Sequence, residues 1–289
     1  MDKAQDRLEI LQKITEYERD GKFDVDVEAD PPSREIKPNE VDYLNKKLSS
    51  KIMTAISNKV GRKYIQSLIN SGKLVIDKIV GLENLENLTT GAVITSNHIC
   101  FMDSFLMQLA YEKTHFYKKK KLYKIIREGN YTSMTGLFGL LLRHCNTLPL
   151  SSNAKTMVNF MRATKKVLSE GNLVLIYPEQ SMWWYYKKPK PLKEGAFKFA
   201  VKSNVPILPT FITMENSDTL DDNGFLIQKL TLHIEKPIYS NPDLSDKQNI
   251  ENMKNQNFKV WKNIYEKTYD TKLDYTTINR SKVQKLLDM

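Results

Sequence analysis

From Leu74 onward the chain alternates short apolar runs, rich in β-branched residues, with segments whose apolar positions recur every three or four residues. The first kind predicts strands at 74–79, 92–95, 122–126, 173–177, 207–213 and 229–235. The second predicts helices at 104–111, 154–169, 196–202 and 249–269. Strands separated by helices of this length imply an α/β fold: a mixed, largely parallel sheet flanked by helices. The region before it reads differently. Residues 2–20 suit a charged helix with Leu8, Leu11 and Ile14 on one stripe, followed by an acidic, Pro-containing stretch (FDVDVEADPPSREIKPNE) that reads as a linker or a strap over the core. Between Val41 and about Ile69, apolar residues at three-and-four spacing are interleaved with Lys46, Lys47, Lys51, Lys59, Arg62 and Lys63, a basic amphipathic helix or helix pair. Such a helix either packs on the domain with a solvated basic face or lies in the plane of a membrane surface. The chain thus divides into an N-terminal helical extension, 1–73, suited to membrane-surface contact, and an α/β domain, 74–289, ending in a helix.

Composition narrows the partners. The 289 residues, 40% hydrophobic, can bury one good core, and 44 basic against 34 acidic side chains leave a formal net charge of +10. That excess predicts an anionic partner, whether nucleic acid, an anionic membrane surface or a phosphorylated small molecule. Nucleic acid is disfavoured, because no reader motif is present and acidic residues are dispersed among the basic ones. Cys100 and Cys145 are the two cysteines and form no CxxC pair, which argues against a disulfide framework or zinc site and for a reducing compartment. The N-terminus has no apolar signal region and no 18-residue apolar run occurs, so the expectation is a cytoplasmic protein, peripheral on the inner face of the cell membrane.

Candidate chemistry concentrates at Asn97-His98-Ile99-Cys100-Phe101-Met102-Asp103, between the strand at 92–95 and the helix at 104–111. A neutral imidazole there can take a proton from a hydroxyl, and a carboxylate accepting the other ring N–H sets its tautomer and steadies the imidazolium. Open α/β sheets bind ligands at such carboxyl ends. The five-residue offset permits the pair without being diagnostic of it. The strand at 173–177 runs into Pro178-Glu179-Gln180-Ser181, which brings a second carboxylate and a hydroxyl to the same edge, and a third strand begins Val205-Pro206-Ile207.

In this order and spacing the chain resembles the glycerolipid acyltransferases of the 1-acylglycerol-3-phosphate acyltransferase type. Their signature is Asn-His, four residues and Asp, then an apolar strand ending in Pro-Glu-Gly-Thr-Arg, then a Val-Pro-Ile strand; Leu192-Lys193-Glu194-Gly195 also looks like their Lys-containing segment. The resemblance covers roughly residues 75–240. It implies acyl transfer from an acyl-carrier protein or acyl-CoA thioester to a hydroxyl of a lysophospholipid or glycerol phosphate, with His98 as general base, Asp103 orienting it, Asn97 and Glu179 at the acceptor pocket, and neither cofactor nor metal. The chain departs from the pattern where Gln180-Ser181-Met182 replaces Gly-Thr-Arg, and where Thr147-Leu148-Pro149-Leu150 lacks the family's other strand-end arginine. Arginine offers phosphate a bidentate fork that serine cannot. The substitutes are Arg127, Arg143, Lys155, Lys187, Lys188 and Lys193 as cations, and Ser151, Ser152 and Ser181 as hydroxyls.

Other features add less. Lys118-Lys119-Lys120-Lys121 is a solvated basic loop or a contact for anionic lipid or an acidic carrier. Four adjacent aromatics, Trp183-Trp184-Tyr185-Tyr186, are expected to place some rings at the site mouth or a membrane interface. Leu137-Phe138-Gly139-Leu140-Leu141-Leu142 reads most simply as core, or as the wall of an acyl-chain channel. His115, His144 and His233 stand apart from one another and read as structural. The rival functions are a thioesterase using the same base on water, a lipid-binding protein on an altered acyltransferase scaffold, and a nucleic-acid-binding protein.

Overall fold

The computed structural model describes residues 3–29, 33–117, 119–278 and 284–288. Helices α1 (Gln5–Arg19) and α2 (Leu48–Asn70) precede β1 (Val75–Val80), α3 (Leu82–Glu86), β2 (Ala92–Thr95), α4 (Asp103–Glu112) and β3 (Leu122–Ile126). Then come α5 (Glu128–Thr132), α6 (Gly136–His144), β4 (Thr147–Pro149), α7 (Ala154–Ser169), β5 (Leu173–Ile176) and α8 (Gly195–Ser203). The long hairpin β6 (Ile207–Leu220) and β7 (Leu226–Ile234), α9 (Asp246–Tyr269) and the short α10 (Gln284–Leu287) complete the order.

The seven strands form one sheet in the order β1-β7-β6-β2-β5-β3-β4. From β6 to β4 every neighbouring pair is parallel, whereas β7 runs antiparallel to β6 and β1 parallel to β7. The fold is therefore α/β with a mixed, mostly parallel sheet. Every residue of β2 and β5 is buried, which is why both strands are uninterrupted apolar runs: helices cover both faces of a parallel sheet. Thr95 pairs with Ile176, so β2 and β5 end level and deliver their following loops to the same edge. Gly91, at the entry to β2, lies where a Cβ would stand 2.3 Å from the carbonyl oxygen of Leu168; glycine alone lets the strand pass the end of α7.

Residues of the N-terminal region share the core with the sheet: Ile10 and Ile14 of α1, Phe23 and Val27 of the acidic segment, and Ile65 and Leu68 of α2 all belong to one apolar cluster with β2 and β5. The acidic segment is thus a strap. Three expectations are corrected. Helix α2 begins at Leu48, and residues 41–47 are an irregular stretch in which the buried Tyr43 donates its hydroxyl proton to Pro149 O at 2.9 Å. The 137–142 run is not core throughout, since α6 buries Gly139 and Leu141 against its neighbours and leaves Leu137 and Phe138 exposed. The four aromatics do not reach the surface as a group: Trp183 and Trp184 are buried and Tyr185 and Tyr186 pack on the same core. Partners distant in sequence cover them, with Phe23 stacked on Trp183, Phe225 edge-on to Trp184, and Glu18 accepting from the Tyr186 hydroxyl.

Candidate active site

The turn after β2 brings His98 and Asp103 together. The imidazole Nδ1 lies 2.6 Å from Asp103 Oδ2, and because an ionised carboxylate only accepts, Nδ1 carries the proton and Nε2 is the ring nitrogen left basic. Asp103 opens α4 and is almost wholly buried, yet fully partnered. Its Oδ2 also accepts the backbone N–H of Ile99 at 3.0 Å, and its Oδ1 accepts the phenol proton of Tyr177 at 2.6 Å. The Tyr177 ring stacks on the imidazole, with centroids 4.0 Å apart and planes 16° from parallel. Burial, with the Asp103 charge beside it, holds the Tyr177 phenol well above its ordinary range, so it stays a donor. The His98 side chain keeps 27% of its surface exposed while Asp103 keeps 1%: the imidazole is reachable from solution and the carboxylate is not.

Glu179 serves the same loop from below. Its Oε2 accepts the backbone N–H of His98 at 3.2 Å and its Oε1 that of Lys190 at 2.8 Å. The Lys190 ammonium, 1% exposed, lies 3.5 Å from Oε2 and donates to Ser181 O at 2.7 Å and Ser181 Oγ at 2.6 Å. Burial pushes the Glu179 carboxyl up and the Lys190 ammonium down, and each charge opposes the other's shift. The hydrogen bonds decide in favour of an ion pair, since Glu179 has only N–H donors around it and the Lys190 ammonium has only acceptors. Gln180 follows in the left-handed region, φ 63°, where glycine would sit without strain.

The remaining expected site residues fall into three groups. Asn97 and Ser181 are not open to a substrate. The Asn97 amide is used up by the backbone of Ile212, donating to its O at 3.0 Å and accepting from its N at 2.7 Å, and so ties the loop to β6. Ser181 is fully buried, its hydroxyl donating to Phe23 O while accepting from Lys190. Arg127 and Lys193 do flank the Glu179 loop, but on strap carboxylates: Arg127 pairs with Asp26 and Lys193 with Asp24. Arg143, Ser151 and Ser152 are turned to internal partners. Arg143 donates to the carbonyls of Tyr131 and Met134, while the two serines donate to the carboxylate of Glu128. Of the other cations, Lys188 pairs with Glu18, and Lys118 lies outside the described residues. Sequence reasoning missed Tyr177 and Lys190. Tyr177 had a signal in its place at the end of a strand aimed at His98; Lys190, in a Lys-Pro-Lys-Pro stretch, had none.

An acyltransferase family model matches residues 78–213, which hold His98, Asp103, Glu179 and β2 through the first half of β6. The chain is also similar to the chloroplastic 1-acyl-sn-glycerol-3-phosphate acyltransferases BAT2 of Brassica napus, 28% identical over 56% of the chain, and LPAT1 of Arabidopsis thaliana, 29% identical over 45%. The chain spans 44% and 34% of those two proteins. The same fold is found in the crystal structure of the 1-acyl-sn-glycerophosphate acyltransferase PlsC from Thermotoga maritima, with a TM-score of 0.53 at 20% identity, covering 80% of this chain and 87% of that one.

Proposed function

We propose that this chain is an O-acyltransferase that moves a fatty acyl group from an acyl-carrier protein or acyl-CoA thioester to a hydroxyl of a lysophospholipid or glycerol phosphate. The observation that carries the reading is the His98–Asp103 contact at 2.6 Å, with Nε2 of a partly exposed ring left as the base. In this scheme Nε2 takes the proton of the acceptor hydroxyl as its oxygen attacks the thioester carbonyl, the C–S bond breaks, and the imidazolium returns the proton to the departing thiolate. Asp103 stabilises the imidazolium, and Tyr177 and the Ile99 N–H hold Asp103 still. Glu179 acts on the backbone of the base's own loop. The acyltransferase-family match and the relatives' names support the reaction class.

A membrane surface fits the same reading. Leu48, Ile52 and Ile56 form an exposed apolar stripe on α2, beside the exposed Lys51, Lys59, Arg62 and Lys63. On α6, exposed Leu137 and Phe138 extend the apolar surface, and Phe138 meets Phe101 edge-on at 5.8 Å, three residues from His98. Among the described residues no helix is long and apolar enough to cross a membrane, so the proposed contact is in-plane and helped by anionic lipid.

The test is acylation of lysolipids in anionic vesicles, with acyl-CoA and acyl-carrier-protein donors compared. Acylated lipid should form and its rate should fall as salt rises, since basic surfaces are screened over about 10 Å at 0.1 M ionic strength. Donor hydrolysis with no acylated lipid would turn the assignment to a thioesterase. Tyr177 supplies a finer check. Tyr177→Phe keeps the stacked ring and removes one donor from Asp103, a loss expected to lower kcat about tenfold, or ~1.4 kcal/mol, with KM little changed. An unchanged kcat would mean that Asp103 is held by backbone N–H groups alone.

A further inference from the structure

The acidic strap between α1 and α2 lies directly on the loop that carries Glu179. Its main chain is anchored there: Ser181 Oγ donates to Phe23 O at 2.6 Å, the Trp183 indole N–H donates to Val25 O at 2.8 Å, and Phe23 stacks on Trp183 with centroids 5.6 Å apart. Between these anchors the two aspartates meet cations. Asp24 Oδ2 lies 2.6 Å from Lys193 Nζ, and Asp26 pairs with the Arg127 guanidinium through Oδ2 while its Oδ1 accepts the Met182 N–H at 2.8 Å.

Both residues also hold the loop on either side of Glu179, Arg127 through its guanidinium and Lys193 through its main chain. Arg127 donates to Gln180 O, and the Lys193 N–H donates to Pro178 O at 2.8 Å. At the neighbouring strand end, the Glu128 carboxylate takes up the donors of Ser151 and Ser152. Its carboxylate accepts from Ile36 N at 2.8 Å, Ser151 Oγ at 2.8 Å, and Ser152 N and Oγ at 3.1 and 2.7 Å. Burial works against its charge, but these donors hold the carboxyl below its ordinary value. Arg127, Lys193 and Lys190 therefore each face a carboxylate, those of Asp26, Asp24 and Glu179. The net charge of +10 does not extend to this loop.

We infer that the strap is an acceptor-selecting element: by neutralising Arg127 and Lys193 it favours a lysophospholipid whose phosphate is a singly charged diester over one that bears a phosphomonoester. A monoester carries about −1.5 to −2 charges at neutral pH and would have to displace Asp24 and Asp26 or lie beside them. A diester brings one charge and meets about half the repulsion. The inference rests on the acyl-transfer reading and names the acceptor class for that same site.

The experiment compares kcat/KM of the full chain for lysophosphatidate and lysophosphatidylglycerol of one acyl length in one type of mixed micelle. The wild-type chain should favour the diester. In Asp24→Asn/Asp26→Asn, where the introduced amide at the second position still offers an oxygen to the Met182 N–H, the monoester-to-diester ratio should rise tenfold or more, mostly through KM, and adding Arg127→Gln should cancel the gain. Asp24→Asn alone, at a pair with both side chains substantially exposed, should raise the ratio severalfold without cost to the fold. A ratio unchanged or lowered in these variants, with a wild-type melting profile, would overturn the role of the strap while leaving acyl transfer standing. Donor hydrolysis with neither lipid acylated would overturn the acyl-transfer reading itself.

Discussion

His98→Ala should lose acyl transfer by roughly 10²–10⁴-fold, the usual contribution of a positioned general base, while the protein remains folded. The loss should fall on kcat, because the ring acts on the proton of a hydroxyl already bound and holds no other part of the substrate in this scheme. Structural tolerance follows from the surroundings. The ring is partly exposed, and without it Asp103 keeps the phenol of Tyr177 and the N–H of Ile99 as donors. Turnover with the wild-type rate in a His98→Ala protein that melts normally would remove His98 from the reaction. His98→Gln, which retains a polar group of similar reach but offers no base, should be as inactive as the alanine variant; a measurable rescue would point to hydrogen bonding rather than proton transfer as the contribution.

Lys190→Met carries the largest expected effect on stability. It replaces the ammonium by a chain of similar length and leaves the Glu179 carboxylate, 2% exposed, without its counter-charge. Removing one partner of a buried ion pair costs about 3–5 kcal/mol. In a domain of this size that lowers Tm by on the order of 10 °C. The sign of the pH dependence follows from Glu179, whose carboxyl burial already pushes up. Once Lys190 no longer opposes it, the folded protein binds this proton more tightly than the unfolded chain does. The variant should therefore regain stability as the pH falls and lose it as the pH rises through the raised value. Thermal denaturation of Lys190→Met between pH 5 and 8 measures this, and a flat profile matching wild type would show that the pair contributes nothing. Lys190→Met/Glu179→Gln should recover part of the loss, because a neutral amide costs less to bury than a lone carboxylate.

The fold was legible where the local pattern and the tertiary environment agree. The fully buried strands β2 and β5 read as continuous apolar runs because both their faces are covered, and α7 and α9 read as helices because each buries one stripe. Legibility failed where burial depends on segments far away in the chain. Trp183 to Tyr186 looked too aromatic to share a core, yet the two tryptophans are buried and the two tyrosines half-buried because α1, the strap and the β6–β7 hairpin close over them. The stretch 41–47 has helical spacing yet stays irregular, since Tyr43 is committed to Pro149, 106 residues away.

The candidate site divides along the same line. The alternation of strands and helices, and the placing of a His, an Asp and a second carboxylate after two apolar strands, follow from short-range rules of periodicity and β-strand exit, so the sequence by itself determined the α/β architecture and the place of the candidate site. Which charges remain available to a ligand is a long-range matter. A basic side chain in a sequence carries no mark of the carboxylate that will face it, and Asp26–Arg127 and Asp24–Lys193 are contacts between segments 101 and 169 residues apart. Only the tertiary structure decided that Arg127, Arg143, Lys193, Ser151 and Ser152 are already engaged, that Asn97 and Ser181 support the loop from within, and that Tyr177 and Lys190 hold His98 and Glu179 in place. The physical reason is that the energy of a charge or a buried polar group is set by what surrounds it in space, and chain closure brings those neighbours from anywhere in the sequence.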